Sequence, residues 1–134
     1  MPTLVAGPAL YVLFPLVTQT DMGTWLDDYH LSKWSLVLMI PYFGLVHPLL
    51  EQIHWQPLRT DSGWSHPAFA GYHLIVLWSL LSIPWLLLCF VLLTGASFAW
   101  KWMASRQNGS LTAPMLSHIF ADLSLVVATW MLTQ

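Results

Sequence analysis

Apolar residues run in long blocks along this chain, broken by short polar stretches. A helix needs about 20 apolar residues to cross the hydrocarbon core of a membrane. The first block covers residues 3–18 and contains Pro8 and Pro15. It lacks a basic leading segment and a small-residue cleavage site, so it reads as a membrane helix rather than a signal peptide. The second covers 34–53, with Pro41 and Pro48 inside. Proline is tolerated in spanning helices where neighbours satisfy the freed carbonyls. The apolar stretch from Pro67 to Met103 is too long for one span, because 37 helical residues would reach about 55 Å. Ser82-Ile83-Pro84-Trp85 offers a break, so the pattern predicts a helical hairpin, 67–82 and 85–103. One long helix kinked at Pro84 is the competing reading. The last block covers 113–132. Asn108-Gly109-Ser110 precedes it, Thr112 is its expected N-cap and Pro114 stands in its first turn. The pattern therefore predicts an all-α integral membrane bundle of about five transmembrane helices, forming one domain over residues 1–134. The connection 19–33 is the longest, with room for a short surface helix.

Composition excludes a soluble enzyme. Only 7% of residues are charged and 57% are hydrophobic, whereas a soluble domain is about 25% charged. The net charge of -2 provides no basic surface for nucleic acid. The single Cys89 excludes an internal disulfide and a cysteine-based zinc site. Most tryptophans sit near the ends of apolar runs, where an interfacial aromatic belt belongs. The expected surroundings are thus a lipid bilayer.

Charge orients the spans. The N-terminal end, the expected loop 54–66 and the loop 104–112 share one side, with Arg59, Lys101 and Arg106. The other side holds Lys33 among Asp21, Asp27 and Asp28. By the positive-inside rule the N-terminus is expected in the cytoplasm.

Ionisable residues inside spans mark functional sites by default. Here they are His47 and Glu51 in the second run, His73 in the third, and His118 and Asp122 in the fifth. His47/Glu51 and His118/Asp122 are each spaced i, i+4 and so share a helix face. Glu51, His73, His118 and Asp122 lie at similar depth on the same side. Such a group can do general-base chemistry through Glu51 or stabilise an oxyanion through the histidines. It can also ligate a metal, with His73 and His118 as the imidazole ligands. The plainer reading is polar pairing that holds helices together. His30, His54 and His66 read as surface or interfacial residues.

The segment Phe69-Ala70-Gly71-Tyr72-His73 fits an FxxxH pattern. Gly109 to His118, continuing through Ile119-Phe120-Ala121-Asp122, fits HxxxD. These stretches resemble the CAAX prenyl protease and bacteriocin-processing (CPBP) family of intramembrane proteases, whose final motif is HxxxN. The family's first motif, EExxxR, corresponds to Glu51-Gln52-Ile53-His54-Trp55-Gln56. Gln52 stands at its second glutamate, and Gln56 where its arginine would be. The resemblance covers about Leu49 to Leu125. It implies peptide-bond hydrolysis within the membrane, with Glu51 as the base, His73 and His118 as its partners, and Asp122 at the asparagine position.

Two functions remain open in the sequence: a small intramembrane peptidase, and a non-catalytic accessory or scaffold subunit of a larger membrane complex. A partner subunit or self-association is expected in either case, to cover the polar cluster. Gly71, Gly95, Ala96, Ser97 and Ala99 suit lateral packing. Haem or chlorophyll ligation by His73 or His118 is a third reading, with no paired-histidine or CxxCH signature behind it.

Overall fold

The computed structural model describes residues 2–31 and 33–134, excluding the side chains of Pro2, Thr3 and Lys33. The expectation for the Lys33 charge therefore lies outside the described residues. The chain is all-helical. A 3₁₀ turn (Pro2–Val5) leads into α1 (Ala6–Val17), followed by α2 (Met22–Asp28) and α3 (Lys33–Pro41). A π-helical turn (Tyr42–Val46) joins α3 to α4 (His47–Asp61). Then come α5 (Ser65–Leu77), α6 (Ile83–Arg106) and α7 (Thr112–Met131). Among the described residues there is no strand, only an isolated bridge between Thr18 and Leu81.

Among the described residues, three helical stretches are long and apolar enough to cross a membrane: Trp34–Asp61, Ile83–Arg106 and Thr112–Met131. The first and third predicted spans form shorter helices, of 12 and 13 residues. At 1.5 Å per residue each covers only about 20 Å. The break before Pro84 is present. Residues 78–82 leave the helix, Ser82 is extended, and Pro84 sits in the first turn of α6, where its missing N–H costs nothing.

Two boundaries differ from the expectation. The second run does not stop at Ile53. It continues as helix to Asp61 through Pro57, so most of the expected loop 54–66 is helical and the turn spans only 62–64. Thr112 is not the N-cap of α7. It is already helical, and its N–H reaches the Ser110 hydroxyl at 3.4 Å. The short helix expected in 19–33 is α2, and Asp21 caps it by accepting from the N–H groups of Gly23 and Thr24.

Pro48 explains the π turn. A proline inside a helix removes a hydrogen bond and clashes with the carbonyl four residues earlier. The wider turn at Tyr42–Val46 relieves that clash directly before it. Gly44 lies in this turn, and a Cβ there would come within 2.7 Å of the Leu123 side chain. At Gly7 an added Cβ would fall 2.1 Å from the Ser124 carbonyl oxygen. The Gly7 N–H donates to the Ser124 hydroxyl at 3.1 Å, and that hydroxyl donates to the Ala121 carbonyl. These two glycines let α1 and the π turn press directly on α7, which also packs against α3, α4 and α6. Gly71 and Gly95, picked out by the sequence for lateral packing, face open space.

At one end of the bundle, Gln19 ties α1 to the α5–α6 turn. Its N–H donates to the Leu80 carbonyl and its amide to the carbonyls of Trp78 and Leu81. Val17, Met22, Leu26, Leu36, Leu80, Leu81, Leu86 and Val126 form the apolar core there. The outer surface is apolar as well, with Leu38 81% and Ile75 79% exposed.

Candidate functional site

The polar residues gather toward the opposite end, where α4 closes, α5 opens and α7 begins. Glu51 is 7% exposed and stands at the centre. Its Oε1 lies 3.6 Å from His47 Nε2 and 3.8 Å from His73 Nε2. Its Oε2 lies 3.3 Å from His118 Nε2. Asp122 Oδ1 is 3.5 Å from the same His118 nitrogen, and Asp122 Oδ2 is 3.9 Å from His47 Nδ1. The structure thus brings together Glu51, His73, His118 and Asp122 from three helices, and adds His47. The i, i+4 spacing on α4 and on α7 turns each pair toward the other helix.

A second layer supports the first. Arg59 is fully buried. Its Nη1 donates to Gln52 Oε1 at 2.7 Å and its Nε to Ser97 Oγ at 2.8 Å. The guanidinium lies over the rings of Phe69 and Trp100, 4.9 and 5.3 Å from their centroids. The sequence placed Arg59 in a cytoplasmic loop and left the motif without an arginine. In the structure Arg59, two helical turns after Gln52, folds back onto it. Only the extra helical turns past Ile53 bring it there, so linear spacing gave no sign of the pairing. His66, read as interfacial, is also fully buried. It stacks on Phe98 and lies 2.9 Å from Ser97 Oγ. Trp100 is a further correction. It is no lipid-facing anchor but is 4% exposed, and it stacks on His118 with ring centroids 4.3 Å apart. His54 and His30 are exposed, as expected.

This layer fixes the hydrogens of the site. An arginine has only donors, so Gln52 must turn its oxygen to Arg59. Its amide nitrogen then faces His118 Nδ1 at 3.2 Å. That nitrogen is therefore the acceptor, and the His118 hydrogen sits on Nε2, pointing at Glu51 and Asp122. His73 is the reverse. Its Nδ1 faces the Phe69 carbonyl at 2.8 Å and must donate. The Nε2 of neutral His73 thus turns a lone pair to Glu51. One histidine offers a hydrogen and the other accepts one, on two sides of the same carboxylate.

An open cavity of about 340 Å³ reaches this carboxylate, lined by His47, Leu50, Glu51, His54, Trp55 and Tyr72. Glu51 Oε2 is buried and makes no hydrogen bond among the described residues. The ligand set drawn from sequence, His73 and His118, does not fit a metal as well as another one. His118 presents N–H rather than a lone pair, whereas His47, Glu51 and Asp122 offer ligand atoms within 4.8 Å of one another.

No protein-family profile, no curated protein and no solved structure matches this chain.

Proposed function

We propose that the chain is an integral membrane hydrolase, a small intramembrane peptidase of the CPBP type in which Glu51 activates water. The carrying observation is the Glu51 carboxylate itself. It is nearly buried, and its Oε2 lies 3.3 Å from His118 Nε2 without a hydrogen bond among the described residues. It faces an open cavity, between a histidine that holds a hydrogen and one that can take it. Water at the cavity floor gives a proton to Glu51, and its oxygen attacks the peptide carbonyl. The His118 Nε2–H donates to the oxyanion that develops. His73 Nε2 accepts the proton from Glu51, which frees the base, and the proton then passes to the leaving amine. Asp122 lies beside the same His118 nitrogen, and Gln52 holds the ring from its far side. Gln52 and Arg59 take the part of the Glu–Arg pair in the resembling family.

In this reading the bundle crosses the membrane five times, with α1 and α5 as short passes and the N-terminus in the cytoplasm. Lys101 and Arg106 remain as the cytoplasmic cations once Arg59 is buried. A second copy of the chain or a larger membrane complex covers the open flank of the cavity, because lipid tails cannot satisfy His47, which is half-buried.

The test is turnover of prenylated and unmodified peptides by purified wild-type protein and by Glu51→Gln. Loss of about 10²–10⁴-fold is expected from removing a general base, with the fold intact. Equal rates in the two proteins would leave the accessory-subunit reading in its place. That reading draws on the same open flank, as a surface to dock on.

A further inference from the structure

We propose that His47, Glu51 and Asp122 form a binding site for a divalent transition metal of the zinc type. Imidazole and carboxylate are ordinary zinc ligands, and an imidazole in the set favours zinc, cobalt or nickel over magnesium or calcium. One ligand atom from each residue lies within 4.8 Å of the other two. His47 turns Nε2 to Glu51 Oε1 at 3.6 Å and Nδ1 to Asp122 Oδ2 at 3.9 Å, and an ion takes one of these two nitrogens. Donors around a tetrahedral ion at bond lengths of about 2.0 Å stand roughly 3.3 Å apart. The set must therefore draw in by up to about 1.5 Å for one His47 nitrogen to share an ion with both carboxylates.

The fold favours that closure in three ways. His47 and Glu51 lie one turn apart on α4 and face the same direction. The close approach of Gly44 to Leu123 holds the π turn before α4 against α7, one residue after Asp122. Glu51 Oε1 faces His47, while Oε2 stays turned to His118 Nε2, so the carboxylate can offer Oε1 to an ion. The His47 side chain, 35% exposed, lines the open cavity, which supplies an entry path and a position for water as fourth ligand.

The consequence for activity rests on the peptidase reading: an ion that takes the Glu51 carboxylate removes the base, so zinc switches the enzyme off.

The experiment uses the full chain in detergent, stripped with chelator and titrated with cobalt(II). The visible absorption of the bound ion is followed, and then its displacement by zinc. One cobalt per chain is expected. His47→Gln and Asp122→Asn should each weaken binding at least about tenfold, as loss of a metal-site group does. His54→Gln, a cavity histidine outside the set, should bind as the wild type does. Circular dichroism checks that each variant is folded, and two variants on different helices guard against one failing to fold. Absence of a stoichiometric cobalt spectrum overturns the proposal, as does unchanged affinity in both variants. Peptide hydrolysis by the stripped protein is read separately. Cobalt bound without hydrolysis in the stripped form keeps the metal site and removes the peptidase. Hydrolysis without bound cobalt does the reverse.

Discussion

Gln52 shows how much depends on one amide. Its oxygen is the acceptor for Arg59 and its nitrogen the donor to His118. Gln52→Leu removes both, leaving a buried guanidinium short of a partner. A loss of about 1–3 kcal/mol or more is expected on thermal unfolding in detergent. Gln52→Glu separates the two effects. The carboxylate still accepts from Arg59, but it now faces His118 Nδ1 with an acceptor and draws the hydrogen there, away from Nε2. Nitrogen-15 chemical shifts of the His118 ring would report the exchange, with helix content unchanged. Arg59→Lys should not restore the wild type, because an ammonium lacks the fork that reaches Gln52 and Ser97 together. The cluster around Glu51 was legible in the chain because i, i+4 spacing and matching depth are local facts. Arg59, Ser97 and His66 were not. They meet across three helices, and nothing in linear order marks which polar residue near a helix end turns inward.

At the scale of elements, the two close approaches to α7 give a direct prediction. Gly44→Ala and Gly7→Ala each force a Cβ into occupied space. A cost of about 1–3 kcal/mol is expected for such overpacking, greater at Gly7, where backbone rather than a side-chain methyl blocks the way. Gly71→Ala and Gly95→Ala meet nothing inside the bundle, so they should gain about 0.5–1 kcal/mol of helix stability. Thermal unfolding of the four variants gives the order. The α2 cap has its own signature. The Thr24 hydroxyl, then the N–H groups of Thr24 and Gly23, hold the Asp21 carboxyl below its ordinary value of 3.8. A depressed carboxyl stabilises the fold above its unfolded value, and the benefit disappears as pH falls through the lower folded value. Amide exchange at Gly23 and Thr24 should therefore stay protected at pH 4 and quicken in stronger acid. Asp21→Ala should lose that dependence. Helix positions followed from hydropathy, including the hairpin break at Pro84. The extension to Asp61 did not, because the segment from His54 to Asp61 is polar and holds Pro57, both of which read as loop. Its helix is sustained by the buried contacts of Arg59, which periodicity alone does not announce.

For the whole molecule, single cysteines in a Cys89→Ser background test the arrangement. Placed at Ser62 and Asn108 they should label from one side, and at Asp28 and Gln134 from the other. Native mass spectrometry after gentle extraction should find a second copy or a larger subunit with the 15.2 kDa chain. A sharp monomer without companions would return the open flank to lipid. Helices long and apolar enough to cross a membrane were legible from composition and hydropathy. The number of passes was less so, since α1 and α5 are apolar enough but short, and their length depends on where the chain turns.

The contact between Gly7 and Ser124 joins positions 117 apart in the chain. Synthesis runs from the N-terminus, so α1 leaves the ribosome long before the helix it packs on exists. Until α7 is made, Gly7 has no surface to meet, and Glu51 has neither His118 nor Asp122 beside it. Contacts this distant are slow to form, because loop closure must precede their reward. For that interval the nascent chain carries a carboxylate with only His47 and His73 beside it, and a first helix without the surface it packs on. A stalled or truncated chain ending before α7 should therefore be degraded faster than the finished one, and a pulse-chase comparison of the two would measure it.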